Sequence, residues 1–443
     1  MVTSDQSAAV PVRRSPIGKV VTASAIGTTI EWYDFFLFGT AAALVFNTLF
    51  FPKFSPLAGT MAAFATYAVG FLARPLGGLV FGHFGDLIGR KRMLIASLLL
   101  MGGATFAIGL LPTYNQIGVW APLLLVVCRL LQGFAVGGEW GGAVLMVAEH
   151  GSASRRGFWS SWPQAGVPAG NLLAVGVLSL VSALTSDAAF RSWGWRIAFL
   201  LSIVLVFVGL YVRLTITESP VFQALQAEVE RAKVRRRAPI LDVLRNYKRP
   251  VLVAMGARFA ENVSYYTFTV FVLTYVTSQL KLSRGQALNA VLVASAVHFV
   301  AIPLFGALSD RVGRRPLYLA GAAGIGVWAF VFFLLLDTKS PLAIILAVAI
   351  GLVFHAAMYG PQAAFFSELF GTGVRYSGAS IGYQLASIFA GSLAPLISVA
   401  LLSKYASSVP ISLYLLATAV ITLVAVLLAE ETQRRDLAQE YVR

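Results

Sequence analysis

The chain has 443 residues, of which 58% are hydrophobic and only 12% are charged, and its mean hydropathy is +0.78. Soluble globular domains carry about 25% charged residues, so this composition excludes a water-soluble protein and indicates one that lies in lipid. The net charge of +15 does not by itself indicate a nucleic-acid partner, and the single cysteine, Cys128, excludes a disulfide framework and a cysteine metal cluster.

Apolar stretches long enough to cross about 30 Å of hydrocarbon recur along the whole chain. A polar tail, residues 1–18, precedes the first stretch, which is too long to be the core of a cleaved signal peptide. Such unbroken runs predict membrane helices and exclude a β-barrel, whose strands would give short alternating segments. Twelve spans are predicted, at residues 19–50, 57–82, 93–111, 119–148, 158–184, 193–214, 251–280, 286–308, 317–336, 342–367, 374–404 and 411–429.

The basic residues fall mainly on one side of these spans. Arg90, Lys91 and Arg92 lie between the second and third spans, and a basic cluster at residues 231–237 lies between the sixth and seventh. The connections on the opposite face hold few basic residues, so roughly four times as many lysines and arginines lie on the first face. By the positive-inside rule this basic face is cytoplasmic and carries both termini, and nucleic acid is not needed to explain the charge.

One long polar interruption, residues 215–250, divides the chain at its midpoint. It is predicted to be a cytoplasmic linker between two six-helix bundles, residues 19–214 and 251–429, with a short cytoplasmic tail at 430–443. An internal repeat supports this division, because GHFGDLIGRKR at 82–92 follows the second span and GALSDRVGRR at 306–315 follows the eighth. Parallel repeats around a midplane site are a transporter architecture.

The motif G-x-x-x-D-x-x-G-R-[KR] of both loops, and RLLQG at residues 129–133, resemble signatures of the major facilitator superfamily. More narrowly, EWYDF at 31–35, GFLARPLG at 70–77 and GGEWGG at 137–142 are similar to the metabolite:proton symporter family. The resemblance implies an all-α integral membrane fold, with twelve transmembrane helices in two six-helix bundles around a central cavity. Members of that family move compounds such as shikimate, α-ketoglutarate, citrate, proline or betaine together with protons. Its osmosensing members carry a long C-terminal coiled coil, whereas only residues 431–443 follow the last span here, which argues against an osmosensor.

Ionisable side chains inside a bilayer cost at least about 2.5–3.5 kcal/mol at a helix centre, so each needs a partner or a function. Glu31 and Asp34 are three residues apart in the first span and share a helical face near mid-membrane. A carboxylate there is stable either ionised beside an arginine or protonated alone, and proton coupling needs a switch between the two. The resemblance implies that Asp34 pairs with Arg129 of the fourth span. Asp34 is therefore the predicted proton carrier, with Glu31 as the alternative and a permanent structural ion pair as the third interpretation.

Arg74 in the second span has no acid nearby in its own helix. It either pairs with Glu31 or Asp34 or binds a substrate carboxylate with both arms of its guanidinium. In the seventh span, Arg258 and Glu261 are spaced i,i+3 and are predicted to pair with each other, with substrate contact as the alternative. Further candidates for substrate contact, each with ordinary packing as the alternative, are Tyr33, Gln164, His298, His355, Tyr359, Tyr383 and Gln384.

The loop motifs predict a second cluster of charges at the cytoplasmic ends of the spans. Asp86 and Asp310 end the second and eighth spans, where a carboxylate can accept hydrogen bonds from a helix N-terminus and pair with arginines. Such a network would hold the cytoplasmic side closed in the outward-facing state and break when that side opens. The predicted gating residues are Asp86, Arg90, Arg92, Glu149, Arg156, Asp310, Arg314, Glu368 and Arg375.

Together these features predict a proton-coupled importer that moves a small polar metabolite, an organic acid or a zwitterion, by alternating access. Proton-coupled efflux of drugs or metabolites is the alternative, but it would suit an apolar cavity, whereas buried arginines favour an anionic or zwitterionic ligand. The sequence carries no zinc, nucleophile or nucleotide motif, so no enzyme activity and no cofactor beyond the coupling proton are expected. The expected location is the plasma (bacterial inner) membrane, with a metabolite, the proton and lipid as partners and the monomer as the functional unit.

Overall fold

The fold is given by a computed structural model. It describes residues 16–88, 90–137, 151–215, 245–370 and 375–433, together with 143, 144, 147, 148, 243 and 435. Of residues 82, 83, 85–88, 90, 91, 94, 153, 215, 375–377 and 380 it describes the backbone alone. Twelve long helical segments follow one another within this part of the chain: α1 (Ile17–Phe50), α2 (Pro56–Ile88), α3 (Arg90–Leu110), α4 (Trp120–Val136), α5 (Arg156–Leu184), α6 (Trp195–Thr215), α7 (Lys248–Tyr266), α8 (Arg284–Val312), α9 (Arg314–Asp337), α10 (Pro341–Leu369), α11 (Arg375–Ala386, continued by Ala394–Tyr405) and α12 (Val409–Leu427).

The helices are apolar on the outside of the molecule. Nine of those described are long and apolar enough to cross a membrane, and the shorter apolar stretches Ile95–Leu110 and Trp120–Val136 belong to α3 and α4. Large apolar side chains such as Phe207 and Val327 are 64% and 71% exposed, an arrangement that surrounding hydrocarbon stabilises. Helix α7 differs, because the polar residues of its C-terminal half, Arg258 among them, are buried inside the protein.

The two halves of the chain repeat one packing pattern. In the first half α1 packs on α5, α2 on α4 and α3 on α6, and in the second half α7 packs on α11, α8 on α10 and α9 on α12. The halves meet along α5 and α8 and along α2 and α11. This pairing leaves polar residues of α7, α10 and α11, together with Trp32 of α1, turned toward the centre of the molecule.

Turns of π-helix interrupt three of the helices that face the centre. They lie at Ala42–Phe46 in α1, at Thr267–Phe271 just after α7 and at Ser387–Ser392 in α11. A π-helical turn inserts an extra residue, which rotates the side chains that follow, and such turns are frequent at functional sites. Two further π-helical turns lie at Phe190–Gly194, before α6, and at Tyr275–Gln279, before α8.

Helices α2 and α4 cross at backbone contact. A Cβ atom at Gly133 would lie 1.8 Å from the carbonyl oxygen of Gly70, and one at Gly137 would lie 1.9 Å from that of Arg74. These separations permit only glycine, as in other closely packed membrane helices. The same crossing brings α2 against Arg129, since a Cβ atom at Gly70 would lie 2.6 Å from Arg129 Nε.

Replacement of Gly133 by alanine is expected to abolish recovery of folded protein. The added methyl group would force α2 and α4 apart at Gly70, and overpacking of this kind typically costs about 1–3 kcal/mol. The measurement is the yield of monodisperse protein in size-exclusion chromatography after mild detergent extraction. Gly103→Ala is the matched control, because a Cβ atom there meets nothing within 4 Å, and its yield should equal that of the wild type. A normal yield from Gly133→Ala would contradict the close crossing.

Candidate functional site

A small cavity lies at the centre, where α1, α5, α7, α10 and α11 converge. The cavity is narrow, with room for about one water molecule, because aromatic side chains fill most of the space. The walls combine these aromatic rings with a few polar groups. The lining residues are Trp32, Val167, Arg258, Glu261, Asn262, Tyr265, Tyr266, His355, Tyr359 and Tyr383.

Arg258 of α7 holds the polar wall of the cavity together. It forms the predicted ion pair with Glu261, with 3.2 Å between Nη1 and Oε2. The same guanidinium donates to Gln362 Oε1 at 2.9 Å and to Ser387 Oγ at 3.1 Å, and its Cζ lies 3.4 Å from the centre of the Tyr383 ring. Charge-assisted hydrogen bonds on several sides make Arg258 a fixed positive charge in this wall.

A chain of hydrogen bonds runs from Glu261 of α7 to α10 and α8 within the C-terminal half. Glu261 Oε1 lies 3.2 Å from His355 Nε2, and His355 Nδ1 lies 2.8 Å from His298 Nε2. The three residues are 3%, 1% and 0% exposed, and the ring of Tyr265 packs against both imidazoles. The structure thus joins three candidates that the sequence presents separately.

Arg74 of α2 lies in an aromatic cage on the N-terminal side of the cavity. Its Cζ lies 5.4, 4.3 and 4.5 Å from the ring centres of Trp32, Phe35 and Phe71. The residue is buried, and its Nε and Nη2 have no hydrogen-bond partner within the described part of the chain. Tyr266 of the cavity wall lies within electrostatic range of its charge. Because the rings stabilise the cation through their faces, these N–H groups remain available to a ligand.

Asp34 of α1 and Arg129 of α4 do not form the ion pair that the family resemblance implies. Arg129 instead donates from Nε to the carbonyl oxygen of Tyr67 at 3.3 Å and from Nη1 to Gln132 Oε1 at 3.1 Å. Neither carboxylate oxygen of Asp34 has a well-aligned hydrogen-bond partner among the described residues, although Thr105 of α3 lies beside it. Asp34 is therefore a deeply buried carboxyl group, and Arg129, the arginine expected to pair with it, is hydrogen-bonded to other groups.

The neighbours of Asp34 on α1 point elsewhere. Glu31 is buried and lies within electrostatic range of Arg74 and of Arg213 in α6. Tyr33 donates its hydroxyl to the carbonyl oxygen of Ala198 in α6 at 2.6 Å and so packs inside the N-terminal half, away from the cavity lining. Of the two carboxyl groups on α1, Glu31 is the one that faces arginines.

The two glutamines predicted to contact substrate connect the halves of the molecule in this structure. Gln164 of α5 donates to the carbonyl oxygen of Tyr359 in α10 at 3.5 Å. Gln384 of α11 donates to the carbonyl oxygen of Gly137 at 3.4 Å, at the end of α4. Neither glutamine lines the cavity, whereas Tyr359 does, so their contact with a substrate stays a prediction.

A network of charges joins the end of α8 to the start of α5 in the other half. Asp310 accepts hydrogen bonds from the first backbone N–H groups of α5, at 2.8 and 2.9 Å, and pairs with Arg314 at 2.8 Å. These are the two kinds of contact predicted for this aspartate. Glu368 of α10 pairs with Arg156 at 2.8 Å and with Arg314 at 3.2 Å. The network therefore bridges the two bundles, as a closed gate would require.

The segment that follows α12 adds to this network, although no motif in its sequence indicates such a contact. Glu431 accepts the backbone N–H groups of Arg314 and Arg315, each at 3.0 Å, and so caps the N-terminus of α9. Burial raises the pKa of the Glu431 carboxyl group, but the backbone hydrogen bonds outweigh this effect and hold the pKa below its usual value. Thr432 Oγ1 donates to Glu368 Oε2 at 2.7 Å, which ties the segment to the gate.

Other members of the predicted gate are only partly placed. Arg92 is exposed at the start of α3. The side chains of Asp86, Arg90, Glu149 and Arg375 lie outside the described part of the structure.

Comparison with known proteins places these features in context. The sequence signature described as Major Facilitator Superfamily matches residues 24–395 and 263–440. A shikimate transporter of Escherichia coli (strain K12) is 43% identical over 424 residues, which are 95% of each chain. A proline/betaine transporter of the same organism is 34% identical over 424 residues, which are 95% of this chain and 84% of that one.

Solved structures give the same picture of the fold. The proton:xylose symporter XylE bound to 6-bromo-6-deoxy-D-glucose superposes with a TM-score of 0.73 at 18% identity, covering 95% of this chain and 98% of that one. A partially occluded, inward-open conformation of the Escherichia coli xylose transporter XylE superposes with a TM-score of 0.70 at 19% identity. At such low identity the likeness concerns the fold alone.

Proposed function

Because the chain belongs to the major facilitator superfamily, we propose that it is a proton-coupled importer of a small organic acid, working by alternating access. Its relatives are transporters, so the chain is a multi-pass membrane transporter with the twelve-helix fold of that superfamily, and it is not an enzyme. The direction of transport, the coupling ion and the substrate class are the parts that are proposed.

The observation that carries the proposal is the Arg74 guanidinium. It is buried, caged by aromatic rings and placed beside the cavity with two nitrogen atoms unpaired within the described residues. A carboxylate that bound there would complete charge-assisted hydrogen bonds with bidentate geometry. Efflux of apolar drugs would leave these two buried nitrogen atoms without a hydrogen-bond partner, which makes an anionic or zwitterionic substrate the better match.

The rest of the cavity favours a substrate that also carries hydroxyl groups. The lining includes hydroxyl groups at the ends of the Tyr265, Tyr359 and Tyr383 rings. The amide group of Asn262 adds a further hydrogen-bonding group. Such walls suit a small ring or chain with one carboxylate and several hydroxyl groups. The relative that transports shikimate points to the same chemistry. A small hydroxylated carboxylic acid is therefore the proposed substrate class.

Asp34 is the proposed proton carrier. A deeply buried carboxyl group with no ion-pair partner among the described residues favours its protonated form, and loss of that proton creates a charge that must be compensated. Arg129 lies on the neighbouring helix α4 and could compensate that charge by leaving the Tyr67 carbonyl and Gln132. Glu31, which faces Arg74 and Arg213, is the alternative carrier.

The remaining parts of the proposal follow from topology and from the gate. The basic face is placed in the cytoplasm, with both termini on it, in the plasma membrane. The contacts of Asp310, Arg314, Glu368 and Arg156 then close the cytoplasmic side and must separate for substrate release. The proton is the proposed coupling ion, no other cofactor is invoked, and the monomer is the proposed working unit.

Uptake into proteoliposomes tests this function. Under an inward gradient of about one pH unit, radiolabelled shikimate or another acid of the panel should accumulate about tenfold per co-transported proton. The panel also contains α-ketoglutarate, citrate, a monocarboxylate, proline and betaine. A protonophore should abolish the accumulation, and empty liposomes should show none. Proton-driven export of a panel compound, with no proton-driven import of any, would contradict the proposal and favour efflux.

A further inference from the structure

The hydrogen-bonded chain Arg258–Glu261–His355–His298 is not used by the proton carrier proposed on α1. It draws its members from α7, α10 and α8, and its first three members line the cavity. Three adjacent buried groups that can each exchange a proton are rare inside a membrane, where every such group carries a cost. Histidines in a chain that links the cavity to the protein interior are suited to binding and passing on a proton.

The contacts fix the direction of the chain. A carboxylate has no proton to donate, so Glu261 Oε1 must accept from His355 Nε2–H. In the neutral imidazole, His355 Nδ1 then carries a lone pair and accepts the Nε2–H group of His298. This leaves His298 Nδ1 as an acceptor, and it has no partner among the described residues. The chain therefore ends in a free lone pair that can take up a proton.

We propose that this chain is a second proton-binding site, which loads one proton onto Glu261 and thereby raises the affinity of the cavity for an anionic substrate. The inference rests on the proposed function, since it assumes a carboxylate in the cavity. The two proposed proton sites have different roles. The proton on Glu261 controls the binding of substrate, whereas the proton on Asp34 controls the reorientation of the loaded carrier.

The proton transfer is balanced at each atom. A proton from a hydronium ion bonds to His298 Nδ1, leaving water, and the Nε2–H bond of His298 breaks as its proton passes to His355 Nδ1. The Nε2–H bond of His355 then breaks, and that proton forms an O–H bond at Glu261 Oε1. One proton enters, both imidazoles end neutral in the opposite tautomer, and Glu261 loses its negative charge.

The electrostatic consequence falls on the cavity wall. Before the transfer, the charges of Arg258 and Glu261 cancel, and Glu261 repels an anion in the cavity that it lines. Afterwards the wall carries the uncompensated charge of Arg258, which attracts an anion strongly in a medium of low dielectric constant. Binding of a carboxylate and binding of the proton then favour each other, as linkage requires.

No other described group near the chain would change its charge over the same pH range. Arginine stays protonated and tyrosine stays neutral near pH 7. Asn171 of α5, which donates to Ser295 of α8 at 3.1 Å, adds only a neutral amide on that side. The titratable or charged groups that face the chain from the helices packed around it are Arg258, Tyr265, Tyr266, Tyr318, Tyr359 and Tyr383.

The test is the dissociation constant for shikimate, or for another acid that the uptake panel identifies, measured by calorimetry in detergent as a function of pH. In the wild type, binding should weaken by about tenfold for each pH unit above the point where the chain loses its proton. Glu261→Gln mimics the protonated carboxyl group, so it should bind as tightly at alkaline pH as the wild type does at acidic pH. Glu261→Asp keeps a titratable group and should restore the pH dependence.

Asp187→Asn is the matched control, because it removes an exposed carboxylate that pairs with Arg284 outside the cavity lining, and it should keep the pH dependence of binding. Binding of equal strength across the pH range in the wild type would overturn the inference, and so would a Glu261→Gln variant that still shows the full dependence. In either case, proton-driven uptake by the wild type would leave the proposed function standing. Absence of carboxylate binding at any pH would overturn both.

A count of protons makes the test independent of any variant that fails to fold. Calorimetry in buffers with different ionisation enthalpies gives the number of protons taken up when the acid binds to the wild type. About one proton is expected at a pH where the empty chain is deprotonated. Uptake of none across the pH range would overturn the inference.

Discussion

Replacing Asp34 by asparagine is expected to abolish the accumulation of substrate that the proton on Asp34 drives, while leaving exchange across the membrane partly intact. Asparagine has nearly the shape of aspartate but takes up no proton, and no described residue forms an ion pair with Asp34 that the change would break. Under an inward gradient of about one pH unit the wild type should concentrate the substrate about tenfold for each coupled proton, whereas the variant should lose the tenfold that the proton on Asp34 contributes. Counterflow of labelled substrate measures exchange separately.

Two further variants show whether the effect belongs to Asp34. Asp187→Asn removes a carboxylate whose side chain is 80% exposed and which pairs with Arg284 at 2.7 Å, and this variant should accumulate substrate like the wild type. Glu31→Gln removes the alternative carrier on the same helix. Normal accumulation by Asp34→Asn, together with its loss in Glu31→Gln, would assign the coupling proton to Glu31.

The helices of this fold could be predicted because a membrane helix needs little more than a long apolar run. The predicted span 342–367, for example, differs from α10, Pro341–Leu369, by one residue at its start and two at its end. The π-helical turns at Thr267–Phe271 and Ser387–Ser392 were not predicted, since their residues suit an ordinary α-helix equally well. Tertiary contacts decide where the extra residue of such a turn is accommodated.

Contacts within one helix could be predicted to the same degree. The Arg258–Glu261 ion pair follows from its i,i+3 spacing and is present in the structure. On α10 the spacing of His355, Tyr359 and Gln362 is i, i+4, i+7, which puts all three on one face. Gln362 bonds both members of the ion pair, so this spacing was the signal that could have identified it.

Contacts between helices that are distant in sequence were beyond such reasoning. The family resemblance paired Asp34 with Arg129, but the close approach of Gly70 and the Tyr67 carbonyl hold that guanidinium elsewhere. Likewise, 57 residues separate His298 from His355, and nothing in either local sequence indicates that the two rings meet at 2.8 Å. Only the packing of whole helices determines these contacts, which is why the sequence identified the members of the site better than their partners.

Removal of the Arg74 guanidinium is expected to cause the largest loss of substrate affinity. In Arg74→Ala a bound carboxylate would lie in a desolvated site without its cation, which typically costs about 2–5 kcal/mol. The dissociation constant should therefore rise at least about 30-fold. Arg74→Lys keeps the charge but loses the planar group that stacks on Phe35 and Phe71, so an intermediate loss is expected. Calorimetry with shikimate, or with the acid that the uptake panel identifies, measures both variants.

Arg196 supplies the matched control, since it too is an arginine stacked on an aromatic ring. Its Cζ lies 4.5 Å from the centre of the Trp195 ring, but its Nη1 already donates to the carbonyl oxygens of Gly109 and Leu111, at 2.9 and 2.6 Å. Arg196→Lys should change the affinity by less than about twofold, because the substrate does not reach that arginine. An unchanged affinity in Arg74→Ala would instead leave the cation of the opposite wall, Arg258, to hold the carboxylate, and protonation of Glu261 would then control that contact directly.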